Sequence, residues 1–260
     1  MAQPRQGTFV DPLRPNIQPG GFASPAEVAL DITQHLAAVR QAIETMDVFV
    51  FTLGPTECWT DPVDGAVWPR APGVSGGVDA PGWAVFRNFD EVETTADLLA
   101  ALRLIRERNP QVRILLTVSP VPRSSTFEDR HVAVLTAWFK AVLRIAAERA
   151  VSELPDCAYF RFHEIITAPH TRVACFDPDE RGVLPAGVAH VMRLFFHHLA
   201  GAEWTAPDVM QDAGGAEGAA PVRALSGYRR TTARPTAQTD AHTKDVDRRI
   251  QIICDEERID

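Results

Sequence analysis

Two short runs constrain this chain more than anything else in it. DVFVFTL (47–53) stops at Gly54-Pro55, and RILLTV (113–118) stops at Ser119-Pro120. Each is too short for a helix, rich in β-branched or aromatic residues, and free of apolar–polar alternation. Strands of that kind are covered on both faces, which is the mark of a parallel sheet. Segments of helical period surround them. Ser24-Pro25-Ala26-Glu27 combines an N-cap serine, a first-turn proline and a capping-box glutamate. Val28, Ile32, Leu36, Val39 and Ile43 then form one apolar face of a helix expected to end near Thr45. Thr94-x-x-Asp97 caps a second helix, with Leu98, Leu102 and Ile105 on one side and Asn109-Pro110 as its stop. Ser125-x-x-Glu128 opens a third, carrying Leu135, Trp138, Val142 and Ile145. A third strand is expected over 158–166. A fourth helix begins near Pro185, turns Val188, Met192, Phe195 and Leu199 inward, and stops at Gly201.

Helices and strands in strict alternation predict right-handed βαβ units, hence an α/β fold with a parallel sheet and flanking helices. Three strands make a thin sheet. Residues 1–23, rich in Pro and Gly, read as an extended arm, and 60–90 as a long loop of the kind that lines a site. The small, polar stretch 205–245 predicts a loosely draped segment in which Arg229, Arg230 and Arg234 are solvated. The run IQIIC (250–254) would then return as a short element. The expected division is therefore 1–23, 24–204, 205–245 and 246–260.

Charge and cysteine usage exclude several classes of function. With 26 Lys and Arg against 34 Asp and Glu, the formal charge is −8, so no overall basic footprint addresses nucleic acid or an anionic membrane. No apolar run approaches the roughly 18–20 residues of a spanning helix, and MAQPRQGTF lacks a signal-peptide core. Cys58, Cys157, Cys175 and Cys254 are scattered without a C-x-x-C, as in a reduced, cytoplasmic chain. No G-x-G-x-x-G or G-K-[ST] opens a helix, which leaves nucleotide binding without support. His197 and His198 are adjacent and point about 100° apart, so they do not chelate. Neither metal nor cofactor is expected.

Ligands of open parallel sheets bind beyond the carboxyl ends of the strands. Three segments fall there: Gly54-Pro55-Thr56-Glu57-Cys58-Trp59, Ser119-Pro120-Val121-Pro122, and the loop 167–182. Together they offer a backbone N–H, hydroxyls and carboxylates to one small ligand, the equipment of an oxyanion or acyl-transfer site. Each residue also has a plainer reading. Thr56 and Glu57 could cap the following turn, Trp59 could cover the core edge, Ser119 could form a turn before its proline, and His131 could be a surface or core histidine.

These segments carry a resemblance. FVFTLGPTECW (49–59) resembles the FTLGLTExW segment of the GSCFA-domain family, and LTVSPVP (116–122) matches that family's LTVSPVP. Arg130-His131-Val132 with Lys140-Ala141-Val142-Leu143-Arg144 is similar to its HV…SKxVLR helix. Tyr159-Phe160 with Glu164-Ile165-Ile166 is similar to its YFPSYEI strand. The likeness runs from about 11 to 199 and resumes at Cys254-Asp255-Glu256-Glu257. It implies an SGNH/flavodoxin-like three-layer sandwich with sheet order 2-1-3-4-5. The activity it implies is ester hydrolysis or acyl transfer, on a small-molecule or glycan ester, with a serine nucleophile and an Asp-x-x-His dyad. Gly54 and Thr56 would stand for the Gly-x-Asn oxyanion block, since a threonine hydroxyl also donates.

The resemblance departs from the family pattern at the nucleophile and at the base. The Gly-Ser-Cys-Phe-Ala block is not among the 260 residues, and Asp179-Glu180-Arg181-Gly182 places glycine where histidine is expected. His131 is then the best substitute base by position. Ser119 is a poor substitute nucleophile because the next residue, a proline, has no N–H for an oxyanion hole. The implied catalytic set is His131, Asp179 and Glu57, with Gly54, Thr56, Trp59 and Ser119 binding substrate. The competing function is a ligand- or partner-binding module that keeps this pocket without catalysis. The chain supplies strands 3, 4 and 5 of such a sheet, which leaves the strand at 47–53 on an unprotected edge. It is expected to be part of a longer protein, to pair that edge with another polypeptide such as a second copy, or to fill it from 250–254.

Overall fold

The computed structural model describes residues 3–5, 7–72, 82–169, 175–177 and 182–200. The chain divides into two compact units. The first is Met1–Val118 with Arg123–Tyr159, and the second is Ser119–Pro122 with Phe160–Asp260.

In the first unit, β1 (Gln3–Arg5) and β2 (Thr8–Val10) form an antiparallel hairpin, and Phe9 bridges to Phe22. Arg14 ties this segment to the first helix, bonding Asp11 through Nε at 2.7 Å and Asp31 through Nη2 at 2.6 Å. Helix α1 (Pro25–Thr45) starts as its sequence predicts, with the Ser24 Oγ accepting from the Glu27 N–H. Its apolar stripe is not covered as expected. Of its residues only Val28 is buried, while Leu30, Leu36 and Val39 lie exposed.

Strand β3 (Val48–Leu53) runs parallel to β7 (Arg113–Val118), from Val48↔Arg113 to Leu53↔Val118, and β7 runs parallel to β8 (Cys157–Tyr159). The order β3-β7-β8 is an open, all-parallel sheet, so the α/β reading holds. Helix α2 (Glu91–Arg108) links β3 to β7 and helix α3 (Val132–Glu153) links β7 to β8. Both close over one face, where Leu98, Leu102, Leu135, Phe139 and Leu143 meet Leu53, Ile114, Leu116 and Val118. Burying each such side chain contributes about 1.5–3 kcal/mol, so this layer dominates the stability of the unit.

Several boundaries differ from the sequence reading, each for a local reason. Helix α2 begins after Asp90, which forms a full capping box with Glu93, and not at Thr94. Helix α3 begins after His131, whose ring accepts from the Ala133 N–H, and not at Ser125. The loop expected over 60–90 holds an antiparallel sheet made of β4 (Glu57–Thr60), β5 (Val67–Trp68) and β6 (Val85–Asn88), in the order β5-β4-β6. The strand expected over 158–166 ends at Tyr159. Beyond it Phe162, Ile165 and Ile166 have helical spacing and form α4 (Phe162–Thr167). Strand β3 is not buried on both faces, since four of its six residues are exposed, and no strand among the described residues pairs with its outer edge.

In the second unit, Ile166 of α4 packs with Cys175, Phe176 and with Val191 of α5 (Pro185–Phe195). Helix α5 buries Gly187, His190 and Val191 in place of the expected Val188, Met192, Phe195 and Leu199. The cause is close approach. A Cβ on Gly187 would lie 3.1 Å from the Cβ of Cys175, so the glycine face is the one that can dock. The segments 205–245 and 250–254 lie outside the described residues.

Candidate functional site

Leu53 and Val118 are register partners, so the chain leaves β3 and β7 at the same edge of the sheet. After β3 it turns through exposed Gly54, where a Cβ would meet nothing within 4 Å, and enters β4. Residues directly opposite in an antiparallel pair share a face. Glu57 faces Asn88 and Trp59 faces Phe86, so these four side chains line one face of the β4–β6 ladder.

The segment 123–128, between β7 and α3, docks on that face with a polar half and an aromatic half. In the polar half the Thr56 hydroxyl donates to Asn88 Oδ1 at 2.7 Å, and the Asn88 amide donates to Glu128 Oε1 at 2.7 Å. The Glu128 N–H donates to the Thr126 hydroxyl at 3.0 Å, and that hydroxyl donates to Glu57 Oε1. Arg123 Nη2 donates to Glu57 Oε2 at 2.7 Å. The Glu57 side chain is 4% exposed, so its charge depends on these two donors for compensation. In the aromatic half, Phe127 meets Trp59 edge-on at 5.2 Å between ring centroids and Phe86 at 5.7 Å. The aromatic stripe continues across the sheet through Trp68, the register partner of Trp59, to Trp83 stacked on it at 4.4 Å.

The structure thus brings Thr56, Glu57 and Trp59 together and adds four residues that sequence reasoning missed: Asn88, Arg123, Thr126 and Glu128. Their partners lie 32–69 positions away, so no local spacing announces them. Each group is already engaged. Thr56 is buried, and its proton goes to Asn88. His131 Nδ1 accepts from the Ala133 N–H at 3.2 Å, which fixes the proton of the neutral ring on Nε2 and occupies the lone pair a general base would use. Ser119 belongs to the second unit, where its hydroxyl accepts from the Val121 N–H at 3.3 Å. Asp179 lies outside the described residues.

Two buried groups near these elements carry further chemistry. The Thr117 hydroxyl, one residue before the end of β7, is 4% exposed and bonds nothing among the described residues. Lys140 is buried within α3, and desolvation pushes its ammonium down to about 8. Burial pushes the Cys58 thiol up against a weaker opposing pull from Arg87, so Cys58 is no thiolate nucleophile at neutral pH. Among the described residues no cluster of His, Cys, Asp and Glu could hold a metal ion, and no helix is long and apolar enough to cross a membrane.

Comparison with known proteins bears on the same segments. No curated protein and no solved structure matches the chain. The sequence model of the GSCFA family matches residues 8–195, which include β2 through α5 and every element of the parallel sheet. The chain belongs to the GSCFA family.

Proposed function

We propose that the chain binds an acyl ester at the strand-end cluster and serves hydrolysis or transfer of the acyl group, acetylated glycans being one substrate class. The observation that carries this reading is the pairing of Leu53 with Val118. It sends the two most family-like segments, FTLG-PTE and LTVSPVP, out of neighbouring strand ends, where open α/β sheets bind ligands. In this reading Gly54, Thr56 and Trp59 contact the substrate, and His131 acts as the general base once its Nδ1 releases the Ala133 N–H. Glu57 is a positioning residue, which through Arg123 and Thr126 holds the segment leading to His131. Ser119 and Asp179 enter on the family resemblance alone.

A second reading has a specific observation behind it. The Thr56 proton, both Glu57 oxygens and the His131 Nδ1 lone pair are all spent on internal hydrogen bonds. A module that binds the ester or its sugar without cleaving it needs none of them free, and the buried Thr117 hydroxyl is a donor with no partner among the described residues.

Turnover of p-nitrophenyl acetate separates the two. The ester-chemistry reading expects the wild type to exceed Thr56→Ala and His131→Ala by at least tenfold, with Gly182→His raising the rate further. Equal rates for all four proteins, alongside a dissociation constant for an acetylated oligosaccharide that Trp59→Ala weakens, would select the binding module.

A further inference from the structure

The aromatic strip beside the strand-end cluster enters the proposed chemistry only through Trp59. Trp59, Trp68 and Phe86 are register partners on β4, β5 and β6, so all three rings stand on one face of the small sheet. The positions that alternate with them, Cys58, Thr60, Val67, Val85 and Arg87, point to the other face, and none is aromatic. Trp83 adds a fourth ring, stacked on Trp68 at 4.4 Å and 23°, and Phe127 adds a fifth, edge-on to Trp59. Three of the chain's five tryptophans are gathered here. The strip stays open in part: the other four rings keep some solvent contact, and Phe127 is 58% exposed. The Trp68 indole N–H is out of water and bonds nothing among the described residues, which leaves an unmet donor within the strip.

We infer that this strip is a platform for an uncharged carbohydrate chain, extending the glycan-ester reading of the strand-end cluster, on which it rests, from Trp59 to Trp68 and Trp83. Size excludes a protein as occupant. A large aromatic side chain covers ~150–250 Å² in all, so the open part of these rings comes to a few hundred Å², short of the roughly 800 Å² a protein partner needs on each side. Charge excludes an anion. Arg87 and Arg123, the cations flanking the strip, are already paired with Glu93 and Glu57, so neither is left to cradle a phosphate or carboxylate. Spacing excludes a caged cation, because the rings touch one another at 4.4–5.7 Å between centroids and offer outer faces with no gap between them. A purely apolar chain is a poor match too, since polar Glu57 and Asn88 stand in line with the rings on the same face. A sugar fits what remains: its C–H faces pack flat on an aromatic ring, and its hydroxyls supply the oxygen that the Trp68 N–H lacks. Glu57 and Trp59 share that face two residues apart, so a chain lying on Trp68 and Trp59 leads to the end where the ester chemistry is placed.

Tryptophan fluorescence of the full chain, titrated with cellotetraose, mannotetraose, xylotetraose and chitotetraose, tests the platform apart from the ester chemistry, because none of these sugars bears an O-acyl group. At least one should shift the emission to shorter wavelength with a dissociation constant of about 1 mM or tighter, unchanged in 1 M NaCl because the ligand carries no charge. Trp83→Leu, which keeps an apolar side chain but no flat ring, should weaken binding at least tenfold, and Trp83→Tyr should restore most of it. Both should turn over p-nitrophenyl acetate at the wild-type rate, since that ester has no sugar. Phe127→Leu, at a position already exposed, is the variant least able to disturb the fold and should weaken binding at least threefold. No spectral shift with any of the four sugars at 10 mM, equal affinities for wild type and both leucine variants, or an affinity that collapses in 1 M NaCl would each overturn the platform and leave the ester reading to its own test. Sugar binding without ester turnover would keep the platform and select the non-cleaving module.

Discussion

β3 and β7 are six residues each, carry nearly the same kind of sequence, and are hydrogen-bonded to each other along their full length. One is buried from its second residue to its last, and the other is exposed at four of six positions. The difference comes from place in the sheet. β7 has a strand on either side and two helices above it, whereas β3 has one neighbouring strand among the described residues. An unbroken apolar run states that a strand needs cover on both faces. It does not state that the cover is present.

The largest effect that can break this comparison is a matched truncation. Leu116→Ala removes a fully buried side chain and should cost about 2–5 kcal/mol, while Val50→Ala on the exposed face should cost less than about 1 kcal/mol. Urea unfolding at low protein concentration reads both, and equal losses would mean that β3 is as well covered as β7. Next comes the segment that follows each strand. Glu57→Ala leaves Arg123 and Thr126 without their acceptor, and because Arg123 keeps some solvent the loss should be about 2–3 kcal/mol. The double-mutant cycle with Arg123→Ala measures how much of that belongs to the pair. Smaller still, Asn109→Ala frees two carbonyls at the end of α1 and should cost about 1–2 kcal/mol, with faster exchange of the amides at 40–48.

One further effect shows only above neutral pH. Lys140, on the helix that covers β7, has its ammonium pushed from 10.5 down to about 8 by burial. Between those values the unfolded chain holds the proton more firmly than the folded one, so this residue makes stability rise with pH, by at most about 1.4 kcal/mol per pH unit. Below about pH 8 both states are protonated and the slope disappears. Urea titrations of wild type and Lys140→Met from pH 7 to 10 should diverge upward for the wild type. Parallel curves would mean that Lys140 is well solvated in the folded state.

Legibility in the sequence followed the range of the interactions. The limits of β3 and β7, the Ser24 cap and the order of the main elements were readable, because strand stops and capping serines act within a few residues. The Asp90-x-x-Glu93 cap was not read, because Thr94-x-x-Asp97 one turn later shows the same spacing and nothing local ranks the two. The β4–β6 sheet hid behind strands of two to four residues separated by Gly and Pro, too short for alternation to register. Of the candidate site, Thr56, Glu57 and Trp59 stood out by their place after a strand. Asn88, Arg123, Thr126 and Glu128 did not, since a glutamate that will pair with an arginine 66 positions on looks like any other.

The close seat of Gly187 on Cys175 has a practical consequence. With a helix backbone against its sulfur-bearing carbon and no solvent exposure, Cys175 can meet a thiol reagent only when its packing opens. Its alkylation rate, followed by peptide mass, is therefore an intrinsic clock for local opening of the second unit, and needs no engineered label.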